Sequence, residues 1–429
     1  MTYPTFRNPI LSLWQSAISK AGKNGAFSKS DIYRMNHFVQ VANAFLEGRM
    51  VPFIDYNRNV IDECTKIVAA LAKAEIQGDR ERYQELMNRF KMSTCDPGWH
   101  EALKTYLAFK KDRGVIPYVR YKQLNDFVMD IPANIKIAFL ADWGTGTKVA
   151  EWSLKAVKMH HPDLIIHLGD IYYSGTMDEV QDYFLAPIKK IAGSTPVYTL
   201  AGNHEMYSGG KGYYWLLQQL NQPASYFCLR NNYWQILGLD TGLHSSNPFL
   251  SASNVTYLDQ AEERWHLHKF STAGSRKTIL LSHHPLFSSL GVGKDGQGQT
   301  IAYNPFLRET FRSVMDQVSL WLWGHEHNQI LFDPYINLKK GRCIGSGAIP
   351  MMVDQKPFIT SPHLNLQGKK EPPVMNLNKA KLSINQDGFL YNSYAILSLT
   401  GDQAQISYYE VNSIQKGDSR LIFSESVEK

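Results

Sequence analysis

An α/β domain preceded by an all-helical region is predicted by three features of the 429-residue sequence. Up to about residue 130, apolar residues recur three and four apart, as on one face of a helix. From Ile135 the rhythm changes to short apolar runs separated by helical stretches. Each of those runs also ends in polar or ionisable residues, and open α/β sheets bind ligands at the carboxyl ends of their strands.

In the first region "RNVIDECTKIVAALAKAEIQ" and "DRERYQELMNRFK" carry the amphipathic pattern. "DPGWHEALKTYLAFKKD" opens with Asp96 and Pro97 as cap and first turn. No catalytic spacing occurs there, so residues 1–130 read as a helical cap or appendage. Residues 131–412 read as the catalytic domain. Its strands are "IKIAFLAD", "DLIIHLGD", "PVYTLAGNHE", "KTILLSHHP" and "SLWLWGHEH", with "VAEWSLKAVKMHH", "DEVQDYFLAPIKKIA" and "LDQAEERWHLHKF" as helices between several of them. "SYAILSLT", Gly401-Asp402 and "AQISYYEV" read as a hairpin with its turn. Residues 351–388, rich in Pro, Asn, Gln and Lys, read as a long surface loop, and 413–429 as a poorly ordered tail.

The composition, 44% hydrophobic and 20% charged with a mean hydropathy of −0.31, is that of a folded soluble protein. Most of the net charge of +6 falls in residues 1–134, where both signs are interspersed. That is a solvated surface, and no nucleic-acid partner is indicated. The cysteines Cys64, Cys95, Cys228 and Cys343 have no zinc-ligand spacing and suit a reducing compartment. No long apolar segment suggests a secretory signal or a membrane span, so a cytoplasmic location is expected, with signal-free export left open. The oligomeric state is not encoded in any pattern.

The strand ends collect Asp142, Asp170, Asn203, His204, His283, His325 and His327. Carboxylates, an amide oxygen and imidazoles together suit first-row metals such as iron, manganese or zinc. One bridging carboxylate could hold two ions about 3.5–4 Å apart, a spacing that activates water for displacement at phosphorus.

Taken in order, Asp142-Trp-Gly144, Gly169-Asp170-Ile-Tyr-Tyr173, Gly202-Asn-His-Glu205, His283-His-Pro285 and Gly324-His-Glu-His327 resemble the motifs of the calcineurin-like metallophosphoesterases. Within them they resemble the purple acid phosphatase branch. The resemblance runs over roughly residues 135–410 and implies a β-sandwich flanked by helices (αββα). Most relatives have a histidine where Gly144 stands; the purple branch replaces that ligand with the tyrosine of G-D-x-x-Y, here Tyr173. A phenolate favours ferric iron.

The resemblance thus implies two metals. The first, Fe3+, takes Asp142, Asp170, Tyr173 and His327. The second, Fe2+, Mn2+ or Zn2+, takes Asp170 as the bridge with Asn203, His283 and His325. His204, Asp170 and Glu205 form the implied catalytic set, His204 facing the substrate and Glu205 orienting it. The implied reaction is hydrolysis of a small phosphomonoester by metal-bound hydroxide. A diesterase acting on a cyclic nucleotide or lipid-like diester is the alternative, and a non-catalytic scaffold a third reading.

The chain departs from the purple branch after His283, where "SSLGVGKDG" lacks a further active-site histidine. Lys294 is the nearby cation and joins His204 and Asn203 as a substrate-binding candidate. The helical first region also differs from the β-sandwich of the large plant-type enzymes. Tyr172 reads as packing, His284 as structural, Trp321 and Trp323 as core. His160, His161, His266 and His268 read as surface, and "GSGA" at 345–348 as close strand packing.

Overall fold

The computed structural model describes residues 70, 74, 78–92, 96, 99–112, 114–247, 254–386, 388–412 and 418–427. The expected helix in residues 58–77, Cys64, Cys95 and the amino-terminal sequence lie outside the described residues, isolated positions apart. The chain divides into two compact units, residues 1–101 with 352–356, and residues 102–351 with 357–429. The first contributes helix α1 (Arg80–Phe90), capped by the Asp79 side chain on Arg82 N–H, with Leu86 and Phe90 on its buried side. Helix α2 spans Trp99–Lys111.

The second unit is built on two sheets. The six-stranded sheet holds β2 (Asn134–Leu140), β3 (Leu164–His167), β4 (Val197–Thr199), β11 (Asn392–Thr400), β12 (Gln403–Asn412) and β13 (Asp418–Ser426). Its order is β13-β12-β11-β2-β3-β4, and β2, β3 and β4 run parallel. The seven-stranded sheet holds β1 (Val128–Asp130), β5 (Phe227–Arg230), β6 (Trp234–Gly238), β7 (Lys277–Leu281), β8 (Val318–Trp323), β9 (Gln329–Leu331) and β10 (Gly341–Ile344). Its order is β1-β5-β6-β7-β8-β10-β9, with β6, β7 and β8 parallel.

Alternation along these strands makes three layers of core from continuous apolar runs, as strands covered on both faces require. Ile137, Phe139, Leu164, Ile166, Ile279, Leu281, Leu320 and Leu322 meet between the sheets. Ala138, Leu140 and Ile165 face outward onto Leu154 and Val157 of α3 (Lys148–Lys158). On the other side Leu237, Leu280, Trp321 and Trp323 pack with Trp265, Phe270, Leu307 and Phe311, from helices at Gln260–Ser271 and Pro305–Phe311. The result is the αββα sandwich the motifs implied, with Trp321 and Trp323 fully buried.

Two expectations differ from the structure. Asp418–Ser426 is no loose tail but strand β13, paired along β12 at the edge of the six-stranded sheet. Beside the ladder, Glu425 ties it down by accepting from Arg342 Nε at 2.6 Å and from the Tyr408 hydroxyl at 2.9 Å. His266 is also not on the surface: it is fully buried, and its Nε2 lies 3.2 Å from Glu262 Oε1. The same Oε1 accepts the Asp240 N–H at 2.8 Å, while Oε2 accepts the Tyr118 hydroxyl at 2.7 Å.

Burial pushes the Asp240 carboxyl up to about 7, with Glu262 adding to it, and burial pushes Glu262 up to about 8. A carboxyl whose folded pKa is raised keeps its proton where the unfolded chain has lost it. Its contribution to stability is therefore largest below pH ~4 and falls as pH rises towards ~8. Glu262→Gln removes one titration and should flatten that decline. Melting temperatures of both proteins between pH 4 and 8 check this; parallel curves would show that the pair does not titrate there.

Candidate metal centre

The carboxyl ends of the parallel strands of both sheets come together at one edge of the sandwich. Asp142 follows β2, Asp170 follows β3, and Asn203 opens helix α4 (Asn203–Tyr207) after β4. His283 follows β7, and His325 and His327 follow β8. Four of these six residues, Asp142, Asp170, His325 and His327, have left-handed backbones with φ of 53°, 76°, 71° and 49°. Such conformations cost a non-glycine residue about 1 kcal/mol or more and gather at functional sites.

Glycine makes the approach of backbone to ligand possible. A Cβ on Gly202 would lie 2.0 Å from Asp170 Oδ1, and one on Gly324 2.7 Å from Asp142 Oδ2. Contacts between the sheets fix these side chains: His325 N–H donates to Asp142 Oδ2 at 2.8 Å, and His283 Nδ1–H to the Leu168 carbonyl at 2.9 Å.

That last bond leaves His283 Nε2 with the lone pair. Around it stand Asn203 Oδ1 at 3.1 Å, His325 Nδ1 at 3.2 Å and Asp170 Oδ2 at 3.4 Å. The Asn203 amide is oriented because its Nδ2 donates to the Tyr207 hydroxyl at 2.6 Å. Acceptors converging in this way need a cation between them. With only a proton to fill that role, burial opposes charge on His283, but the Asp170 carboxylate raises it to about 9. Asp170 itself is held well below the usual carboxylate range: burial works against its charge, and the His283 and His204 imidazoles outweigh it. The donor set thus fits the metal pair that the motifs imply. Among the described residues two groups have ligand atoms within 4.8 Å of one another: Asp142, Asp170 and His327, and His283, His284 and His325. Burial, reinforced by the neighbouring His325 and His283 rings, holds His284 well below its ordinary pKa.

The phenol in the first group belongs to Tyr172. Its hydroxyl lies 3.0 Å from Asp142 Oδ1, 3.0 Å from Asp170 Oδ2 and 3.1 Å from His327 Nε2. Tyr173, the ligand expected from G-D-x-x-Y, anchors the turn through its main chain: its N–H donates to Glu179 Oε1 at 2.6 Å and its carbonyl accepts from His204 Nδ1 at 2.7 Å. Counting alternate faces applies to an extended strand, whereas here the chain turns after Asp170, closing with Gly175 N–H on the Ile171 carbonyl. Gly144 lies beside that turn, its carbonyl accepting Tyr172 N–H at 2.9 Å. A Cβ on Gly144 would meet Ile171 Cα at 2.9 Å, so a larger residue there would displace the turn carrying Tyr172.

His204 stands at the edge of the cluster. Its N–H donates to Asp170 Oδ1 at 3.2 Å, and Nε2 lies 3.8 Å from Asp170 Oδ2. Glu205 accepts Gly202 N–H at 2.8 Å, so it shapes the turn that presents Asn203 and His204. Lys294 follows His283 in the segment that leads to the helix at Pro305–Phe311. The 286–304 segment folds back on itself through Phe287–Tyr303 and Lys294–Thr300 bridges, which leaves Lys294 exposed at a hairpin tip. It lines a cavity of about 500 Å³ with Val255, Ile301 and Phe306, and none of the cluster residues lines it. Tyr172, read from the sequence as packing, and His284, read as structural, are both brought by the structure beside the cluster.

No helix among the described residues is long and apolar enough to cross a membrane. No curated protein matches the sequence. Among solved structures, similarity extends to the purple acid phosphatase PPD1 from yellow lupin (Lupinus luteus) seeds, at 15% identity and a TM-score of 0.43, over 69% of this chain and 54% of that one. PhoD aligns at 12% identity and a TM-score of 0.47, over 69% of this chain and 70% of that one. TT1561 of Thermus thermophilus aligns at 10% identity and a TM-score of 0.34, over 52% of this chain and 96% of that one. The chain thus spans about half the length of the lupin enzyme. Residues 135–329 match the family model of the calcineurin-like phosphoesterases. The whole cluster from Asp142 to His327 lies within that span, and the chain carries a calcineurin-like phosphoesterase domain.

Proposed function

We propose that this domain is a dinuclear metal-dependent phosphoric ester hydrolase of purple acid phosphatase type, acting on small phosphomonoesters. The observation that carries the reading is Asp170, whose carboxylate stands between the Asp142–Tyr172–His327 group and the Asn203–His283–His325 group. One ion, ferric iron, would take Asp142, Asp170, Tyr172 and His327. The other, Fe2+, Mn2+ or Zn2+, would take Asp170, Asn203, His283 and His325. Bound there, such a pair supplies Lewis acidity, lowering the pKa of water and offsetting charge on the phosphoryl oxygens.

The chain's own residues do the rest. His204 Nδ1 is engaged by the Tyr173 carbonyl, which leaves Nε2 as the nitrogen able to pass a proton to the leaving alkoxide. Asn203, held by Tyr207, and His204 border the space where the ester would sit. Buried Cys228 and Cys343, neither in a disulfide, fit a reducing cytoplasmic setting.

The test is a screen of metal-reconstituted protein against aryl and alkyl monoesters, cyclic nucleotides and other diesters, with elemental analysis alongside. About two metals per chain, iron among them, and monoester turnover are expected. Protein that takes up no transition metal sinks the reading, and diester turnover alone transfers it to a phosphodiesterase. The oxidised iron form should show a visible tyrosinate-to-iron band that Tyr172→Phe removes and Tyr173→Phe retains. Bleaching by Tyr173→Phe alone would return the ligand role to Tyr173.

A further inference from the structure

His284 sits immediately after His283 at the end of β7, almost fully enclosed, with 6% of its surface exposed. Thr241 holds it from one side: the His284 N–H donates to Thr241 Oγ1 at 3.1 Å, and His284 Nδ1 lies 3.1 Å from the same oxygen. On the other side, Nε2 is buried with no hydrogen-bond partner. Its ring is 4.6 Å from the His325 ring and 4.9 Å from that of His283, centroid to centroid. One ring nitrogen of each of the three lies within 4.8 Å of the others.

We infer that His284 is an additional ligand of the second metal, binding through Nε2 alongside His283 and His325. The inference rests on the dinuclear reading and goes beyond the ligand set the motifs imply. Buried polar atoms are nearly always satisfied, and an unpartnered imidazole nitrogen beside two metal-facing imidazoles is satisfied by the ion they share. The inference requires the tautomer in which Nδ1–H donates to Thr241 Oγ1 and Nε2 keeps its lone pair; ligating histidines are commonly oriented through the other ring nitrogen in this way. Three imidazoles on one ion bias that site towards zinc or Fe2+ and away from magnesium or manganese.

The test counts imidazoles directly. The full chain, labelled with 15N-histidine and loaded with cadmium-113, is examined for one-bond nitrogen–cadmium couplings. Split ring nitrogens are expected from His283, His284, His325 and His327, with His204 unsplit as an internal control. His284→Gln should lose one split signal and keep the others, and its cadmium at that site should be lost at least tenfold more readily to a chelator. If the variant does not fold, the wild-type spectrum still decides. Split signals from His283, His325 and His327 with His284 uncoupled overturn the inference and leave the dinuclear reading standing. A spectrum without any coupling overturns both.

Discussion

Asp170→Asn is expected to lower turnover on an aryl phosphate by on the order of 10⁴-fold or more while the fold survives. Asp170 is the one carboxylate reached from every direction in the centre: Oδ1 accepts the His204 N–H, and Oδ2 lies against Tyr172, His283 and His204. An amide preserves its shape but removes the charge both ions would share and places a donor among donors. Bound metals contribute several kcal/mol of transition-state stabilisation, and each ~1.4 kcal/mol is tenfold in rate. The fold should tolerate the change because the sheet core is apolar and lies away from this edge. Steady-state rates, metal content and a thermal melt on one preparation check it. A variant within tenfold of wild type would show that the two groups do not share Asp170.

His204→Ala should behave differently, keeping its metals and losing roughly 10²–10⁴-fold in turnover, the usual contribution of a positioned acid or base. Its side chain borders Asp170 without belonging to either group of ligand atoms. Burial lowers its pKa and the Asp170 carboxylate pulls it back up; with Nδ1 held by the Tyr173 carbonyl, Nε2 is the nitrogen left to act. If that nitrogen protonates the leaving group, esters of alcohols should suffer more than esters of acidic phenols, which depart without help. A uniform loss across leaving groups would give His204 a role in stabilising charge instead. Loss of metal would make it a ligand.

Much of this arrangement could be read from residue order. Strand ends such as "LGD" and "WGHEH" announce themselves because apolar runs stop abruptly at ligand-type residues, and a sandwich covered on both faces needs such runs. What residue order does not carry is local geometry. Tyr172 and Tyr173 differ by one position in a turn, where two-residue alternation fails once Asp170 adopts φ 76°. His284 is adjacent to a motif residue and has no spacing of its own. His266 does have a signal, the Glu262–His266 pair one helical turn apart, but a paired buried side and a solvated side look alike when most of the helix is polar. β13 has no two-residue pattern to read: its apolar residues Leu421, Ile422 and Phe423 are consecutive, and none of the strand's residues is fully buried.

The candidate ligands come from both sheets in each half of the centre. Asp142, Asp170 and Tyr172 face His327, and Asp170 and Asn203 face His283 and His325. Each ion would therefore act as a rivet through the rim of the sandwich, and pulling the sheets apart would open both sites at once. Metal loss should then register as faster amide hydrogen exchange along β3 and β7, the neighbours of the rivet, before it registers in the outer helices. It also follows that the centre cannot adapt to different esters by sliding one sheet on the other. On the proposed reading, discrimination between esters would fall to the loops above the rim.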